Sequence, residues 1–127
     1  MKLNHDCVRQ VLIDIEENMT AHDIITSNIF EEFKSYKKFG EDQFSYTLAK
    51  LKEAGFITAF DTTADGAINV FLTINSITWE GHKFLDTIQS DTVWNKTKDK
   101  IASTVGSTSL QVMGAVATSI ATNLLGL

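Results

Sequence analysis

The sequence predicts an α+β fold of the winged helix-turn-helix class, with a three-helix core, a β-hairpin wing and additional C-terminal helices. Residues 41–57 place apolar side chains at helical spacing, and Gly55 separates this helix from the strand that follows. Asp65-Gly66 suits a tight turn before the β-rich run 67–74. Thr78 can then cap a new helix. Helix, strand, turn, strand and helix is the order of the second half of a winged helix.

Length and composition set the outer limits of this prediction. The chain has 127 residues, 43% of them hydrophobic and 21% charged, which indicates a globular protein and not a disordered one. We expect a winged-helix domain over residues 1–90 and a helical extension over residues 91–127. The one cysteine, Cys7, excludes an intrachain disulfide. The N-terminus lacks an apolar signal core, so we expect a cytoplasmic protein.

The first helix is predicted to begin near Asn4 or Asp6, either of which can cap it. Its polar positions, including Asp14 and Glu17, are expected to lie mostly outside. A short strand within residues 20–25 would pair with the wing. The apolar stripe that predicts the helix consists of Cys7, Val8, Val11, Leu12 and Ile15.

The second and third helices are predicted on either side of Gly40. Asn28 can cap the second helix, and the run Lys37, Lys38 and Gly40 ends it. The third helix covers residues 41–54. In a winged helix this third helix is the one that lies in the major groove of DNA.

Two more helices are predicted after the hairpin, whose tip is expected at residues 61–66. The first would bury Gly81, Phe84, Leu85 and Ile88, and the second, beginning at Ser90 or Asp91, would bury Val93, Trp94, Thr97 and Ile101. Trp79 and Trp94 lie beside helix-spaced apolar residues, so both are expected to pack inside the protein.

The C-terminal segment differs sharply in composition, since no charged side chain occurs from residue 101 onward. Polar residues interrupt it, which argues against a membrane span, and a membrane-surface helix would carry Lys or Arg. We therefore expect a helix that is covered by protein, either by its own domain or by a second copy, with a dimer preferred. Gln111 and Thr118 would face away. The predicted seam between copies is Leu110, Met113, Val116, Ile120 and Leu124.

Several motifs resemble one family. The sequences EDQF at 41–44, LKEAGFI at 51–57, ITWEGHKFLDTI at 77–88 and WNKTKDKI at 94–101 are similar to those of the YjcQ-like group. This is a group of small winged-helix proteins from Gram-positive bacteria and their phages and prophages. The resemblance covers roughly residues 4–101 and implies the winged-helix fold and a phage or prophage association. The group has no assigned activity, so the resemblance transfers no functional residues.

DNA contact is one candidate function for the predicted third helix. Its outward residues Gln43, Ser45, Tyr46 and Lys50 could reach a duplex, together with the preceding pair Lys37–Lys38. Against this, the wing at residues 61–69 contains two acidic residues and no basic one, and the net charge is −5. Since Lys and Arg contacts to phosphate supply most non-specific affinity, nucleic acid is possible but disfavoured.

No pattern in the sequence indicates catalysis. Cys7 has no evident base partner, and the three histidines, His5, His22 and His82, lie far apart along the chain. We expect no catalytic residue, no metal and no cofactor. The sequence therefore favours a binding module that acts through protein–protein interaction and self-association. The alternative is a DNA-binding transcriptional regulator that uses residues 41–54 and the wing.

Overall fold

A computed structural model describes the backbone of residues 1–63 and 70–127 and the side chains of residues 1–60 and 73–127. Within these ranges the protein is α+β and mostly helical, and it divides into two compact units, Met1–His82 and Lys83–Leu127. The predicted hairpin tip lies largely outside the described residues. The α-helices are α1 His5–Asn18, α2 Lys34–Glu53, α3 Trp79–Ile88, α4 Asp91–Thr104 and α5 Leu110–Leu124, and the strands are β1 Ile57–Thr63 and β2 Val70–Ile77.

Helix α1 begins as the sequence predicts. The Asn4 side chain accepts a hydrogen bond from the backbone N–H of Cys7 at 3.0 Å, which satisfies one of the free donors of the first turn. All five residues of the predicted apolar stripe are buried. Burial of such a stripe is the main source of stability for a helix of this length, because isolated short helices are marginal in water.

Asp14 corrects one expectation for α1, since it is buried and only 2% exposed. Its carboxylate accepts hydrogen bonds from the backbone N–H of Ser35 at 2.8 Å and from the Ser35 hydroxyl at 2.6 Å. Gln10 also donates to it at 2.9 Å. Ser35 lies in the first turn of α2, whose N-cap residue Phe33 makes no side-chain cap bond. Asp14 therefore caps α2 from another helix, which explains why a carboxylate is stable inside.

The segment before α2 differs from the prediction at its start. A 3₁₀ helix covers Ser27–Glu32 with Thr26 at its N-cap, so Asn28 lies inside the helix and does not cap it. Gly40 interrupts α2 with φ 85° and ψ 166°, a conformation that favours glycine. The break separates residues 34–39 from residues 41–53, as the sequence predicts.

An aromatic cluster lies beneath this interrupted helix. The Phe44 ring centroid is 5.3 Å from that of Phe30 and 5.9 Å from that of Phe33, and both pairs meet edge to face. Tyr36 approaches the same ring at 5.3 Å. Edge-to-face pairs stabilise beyond their buried area by about 1 kcal/mol. Leu51, in the last turn of α2, is only 1% exposed.

Strands β1 and β2 pair in antiparallel fashion, with Ile57 opposite Ile77 and Phe60 opposite Thr73. The register shifts between Thr58 and Ala59, which pair with Ser76 and Ile74. Asn75 is therefore the extra residue of a β-bulge on β2. The strand predicted within residues 20–25 is reduced to one bridge, in which Ile25 and Ile74 exchange backbone hydrogen bonds of 2.9 and 2.8 Å.

The start of α3 lies against Phe56, which belongs to the helix–strand junction between α2 and β1. The Thr78 hydroxyl caps the helix by accepting from the Gly81 N–H at 3.1 Å, as predicted. The Phe56 carbonyl accepts from the Thr78 N–H at 2.9 Å. A Cβ at position 81 would lie 2.1 Å from that Phe56 carbonyl oxygen, so only glycine fits.

The predicted faces of α3 and α4 are confirmed, because all eight of their inward residues are buried. In the second unit α5 packs against α4. Gly114 brings α5 close to α3, since a Cβ there would lie 3.4 Å from the Phe84 ring. Gly106 has φ 80° and ends α4 by donating its N–H to the Ile101 carbonyl at 2.8 Å.

The Asp14→Ala substitution is expected to destabilise the protein by about 2–3 kcal/mol, because it leaves two buried Ser35 donors without an acceptor. Urea unfolding followed by circular dichroism measures this change. Glu17→Ala, an exposed position on the same helix, is the control and should stay within about 0.5 kcal/mol of wild type. Equal stability of the two variants would contradict the capping role of Asp14.

Candidate functional site

The outer surface of α2 holds the side chains predicted to contact DNA. Ser45 is exposed, while Tyr46 is half-buried. Gln43 donates from Nε2 to the Lys2 carbonyl at 3.2 Å, so its amide already has a partner. Lys50 pairs with the Glu53 carboxylate at 2.9 Å, and this contact raises the pKa of Lys50. Gln43 and Lys50 therefore already have partners within the chain, and Tyr46 is partly covered. These three of the four predicted residues of the helix are less available to DNA than the sequence suggests.

Lys50 and Tyr46 are brought together by the helix, since the Lys50 Nζ lies 5.4 Å from the Tyr46 ring centroid. This distance is typical of a cation–π contact. The pair forms a local amphipathic surface. Because Lys50 faces both a carboxylate and a ring, it offers less free positive charge than the sequence suggests.

The lysines predicted to help lie before the break at Gly40. Lys37 and Lys38 are exposed, and Lys38 places its Nζ 5.3 Å from the Phe39 ring centroid. Directly after the break, Glu41 and Asp42 are also exposed. Carboxylates at a helix N-terminus stabilise the helix but repel phosphate. The charge of this surface is therefore mixed.

Cys7 is fully buried in α1 and accepts a hydrogen bond from the Thr47 hydroxyl at 3.3 Å. Burial raises the pKa of the Cys7 thiol, which disfavours the reactive thiolate.

Among the described residues no group of three or more His, Cys, Asp or Glu side chains could hold a metal ion. The part of the chain that the structure describes also contains no helix with the length and apolar character needed to cross a membrane.

Helix α5 places the predicted seam residues differently. Met113 is buried together with Ala117, while Leu110, Val116 and Ile120 are half-buried. Leu124 is exposed, and Gln111 and Thr118 face solvent as predicted. Because Met113 is buried within a single copy of the chain, it is not available to a second copy. Self-association through the other seam residues stays a prediction.

An apolar ridge runs along α5 beside its buried residues. It consists of residues four apart, which lie in one row on a helix surface. Val112 is 47% exposed and Leu124 is 53% exposed at its two ends. Val112 is absent from the predicted seam, although its spacing of four from Val116 places it in the same row. We call this row the α5 ridge, and its members are Val112, Val116, Ile120 and Leu124.

Trp79 is a further correction, because it is 76% exposed. It is the first residue of α3 and lies on the side of the helix opposite Phe84 and Ile88, which are buried. A helical wheel centred on the buried residues would have placed it outside. Trp94 is buried, as predicted. Phe60 on β1 is a further large aromatic side chain that stays 60% exposed.

The chain matches the family described as Hypothetical protein (DUF2513) over residues 2–108. An uncharacterised protein of Haemophilus influenzae is 32% identical over 125 residues, which is 98% of this chain and 99% of the relative. No solved structure gives a significant match. The YjcQ-like resemblance and the association with Gram-positive bacteria and phages stay predictions. By the extent of both sequence matches, the chain belongs to the DUF2513 family.

Proposed function

We propose that this protein is a winged-helix binding module that acts through protein–protein contact and self-association, and not through catalysis. The winged-helix assignment is supported by the order of α1, the Ile25 bridge, the two helices around Gly40 and the β1–β2 pair. In a winged helix a short first strand pairs with a strand of the wing, which is the position of the Ile25–Ile74 bridge. A phage or prophage association is part of the proposal and rests on the motifs alone.

The observation that supports self-association is the α5 ridge. The neighbouring strip of α5, at Met113 and Ala117, is already buried, yet the helix beside it still has a row of four apolar side chains that are exposed or half-buried. No charged side chain from residue 101 onward interrupts this surface. Exposed apolar rows of this kind mark interaction surfaces.

A second copy of the chain is the partner that fits this ridge best. Rows of residues four apart pack into the grooves of another helix, and two identical ridges pair through a two-fold axis. The adjacent small residues Ala115 and Ser119 leave shallow grooves for the side chains of the partner helix. An uncharged surface also avoids the like-charge repulsion that would otherwise oppose pairing of identical surfaces.

DNA binding is the weaker alternative, and one observation favours it. Lys34, Lys37 and Lys38 are all exposed within one turn and a half of helix. A regulator needs such a patch next to the helix that enters the groove. Here, however, Glu41 and Asp42 come directly after it, and Lys50 is paired with Glu53. The lysine patch alone therefore gives a poor electrostatic footprint.

The ridge predicts the oligomeric state of the full chain. Wild type is expected to be a dimer by light scattering, and Val112→Glu is expected to be a monomer, because the new carboxylate would be buried at the ridge without a partner. Gln111→Glu introduces the same charge on the outward side of α5 and should leave the dimer intact. A wild-type chain that remains monomeric at millimolar concentration would overturn self-association.

Duplex DNA of random sequence is expected to bind more weakly than micromolar at physiological salt, because few free cations are available. Fluorescence anisotropy of a labelled duplex measures this affinity. The double substitution of Lys37 and Lys38 by Ala should change the result little. Sub-micromolar affinity with a steep salt slope, flattened in the double variant, would establish the DNA alternative instead.

Cys7 is expected to react slowly with iodoacetamide in the native protein and fast in urea. Burial raises the pKa of its thiol, so the folded state favours the protonated form. The protonated thiol stabilises the folded state fully at a pH below the ordinary thiol pKa. This stabilisation decreases as the pH rises from the ordinary pKa toward the raised pKa of the folded state. Mass spectrometry of alkylated protein measures the rate, and rapid native labelling at neutral pH would contradict the inert assignment.

A further inference from the structure

Strand β1 lies at one side of the sheet, because within the described residues the sheet has two strands and β1 pairs with β2 alone. The far side of β2 is partly covered by the bridge to Ile25. We call the far side of β1 the β1 edge. Among the residues that the structure describes, residues 57–63 make no backbone–backbone hydrogen bond on this edge. The strand belongs to the first unit and α5 to the second, so the inference does not depend on the α5 ridge.

The bridge shows which backbone groups point into the β1 edge. Ile74 exchanges both of its backbone hydrogen bonds with Ile25, so its N–H and C=O point away from β1. Ala59, which lies opposite Ile74, therefore belongs to a non-hydrogen-bonded pair, and its own N–H and C=O point away from β2. The pattern alternates along an antiparallel pair, so the backbone of Asp61 points outward as well. Unpaired donors and acceptors in such a row are a template for an added strand.

The β1 edge lacks most of the features that protect sheet edges. Natural proteins protect an edge with Pro, with a bulge or with charged side chains, above all Lys. Strand β1 contains no Pro and no Lys, and the extra residue of the bulge is on β2. Thr58 and Phe60 are two residues apart and share the outer face of the strand, where Phe60 is 60% exposed. An added strand would therefore cover Phe60 while it pairs with the backbone of Ala59.

The charge of the hairpin indicates which strand the edge favours. Residues 57–77 contain two acidic residues, Asp61 and Asp65, and no basic one, and the whole chain has a net charge of −5. An identical strand brings the same negative charge, whereas a basic residue opposite Asp61 forms a favourable cross-strand pair. We propose that the β1 edge binds an extended segment of a partner protein as an antiparallel strand, with an apolar residue opposite Phe60 and Lys or Arg opposite Asp61. Addition of a strand to a sheet edge is a common form of peptide recognition.

The peptide acetyl-Val-Thr-Lys-Phe-Val-Thr-Val-amide is a probe with these features. In antiparallel register its Phe lies opposite Phe60, its Lys opposite Asp61 and the Val after its Phe opposite Ala59. Titration of the ¹⁵N-labelled full chain by NMR is expected to give saturable shifts at the amides of Ala59 and Asp61, with a dissociation constant of about 1 mM. The same peptide with Glu in place of Lys is expected to bind about fivefold more weakly. Equal affinities of the two peptides would contradict the basic partner.

Backbone methylation of the probe separates strand addition from non-specific contact with Phe60. The amides of the peptide Lys and of the Val after Phe would face the β1 edge, because they lie opposite the outward-pointing backbones of Asp61 and Ala59. N-methyl groups on these two amides are expected to abolish binding. N-methyl groups on the amides of the first Thr and of Phe, which would point away from β1, are expected to leave saturable binding. Equal affinities of the two methylated peptides, or no saturable shift with the unmodified peptide, would overturn the proposal.

Three variants of the protein locate the site. Ala59→Pro removes the outward N–H and is expected to abolish binding, since Pro is tolerated in a strand where the N–H faces solvent. Asp61→Lys is expected to reverse the charge preference, so that the Glu peptide binds about fivefold more tightly than the Lys peptide. Glu17→Lys makes the same charge change at an exposed position of α1 and should leave the preference unchanged. If Ala59→Pro disturbs the fold, the methylated peptides and the two charge variants decide, and an unchanged preference in Asp61→Lys would contradict the proposal.

A second copy of the chain is the competing occupant of the β1 edge, and light scattering identifies it. Val112→Glu is expected to be monomeric and to bind the Lys peptide as wild type does, which keeps this proposal distinct from self-association through the α5 ridge. If the Val112→Glu chain still self-associates, and the further substitution Ala59→Pro removes that self-association, the edge pairs with a second copy and the peptide proposal is wrong.

Discussion

The buried carboxylate of Asp14 is the interaction on which the helical part of the first unit depends. Helix α2 begins at Lys34 without a side-chain cap of its own, and it contains a break at Gly40 only six residues later. A short helical segment between two interruptions has little intrinsic stability. Asp14 satisfies its first turn from α1, and so fixes the segment that places Phe30, Phe33 and Phe44 in one cluster. The orientation of the second half of α2 follows from that cluster.

The sequence was a good guide wherever one periodicity decides the structure. The stripe of α1, the faces of α3 and α4, the caps at Asn4 and Thr78 and the break at Gly40 all follow from local spacing and local backbone preferences. Asp14 was misplaced because its partner lies 21 residues away, and no local pattern reveals a cap supplied by another helix. Trp79 differs from its prediction for another reason, since its hydrophobicity favours burial whereas its position on α3, opposite Phe84 and Ile88, favours exposure.

The candidate surfaces were predicted less completely, and the reasons are again physical. Sequence spacing identifies the apolar side of α5 but does not show how wide a strip the chain itself covers. Met113 was predicted to lie at the seam and is buried, whereas Val112 was not predicted there and is exposed. The spacing of three residues between Lys50 and Glu53 can be read from the sequence. Whether the two side chains pair, and so make Lys50 less available to DNA, depends on the side-chain geometry. The β-bulge at Asn75 had no sequence signal. The insertion of one residue into a strand leaves the alternation of apolar and polar residues ambiguous.

The contact between Gly81 and the Phe56 carbonyl has an evolutionary consequence. Since a Cβ at position 81 would lie 2.1 Å from that oxygen, even alanine requires the backbone of the helix–strand junction to move. The Thr78 cap and the β1–β2 register are anchored to the same junction. Position 81 therefore records whether a distant relative retains this junction geometry. A relative with any side chain at that position must have rebuilt the base of its β-hairpin, however similar the remainder of its sequence is.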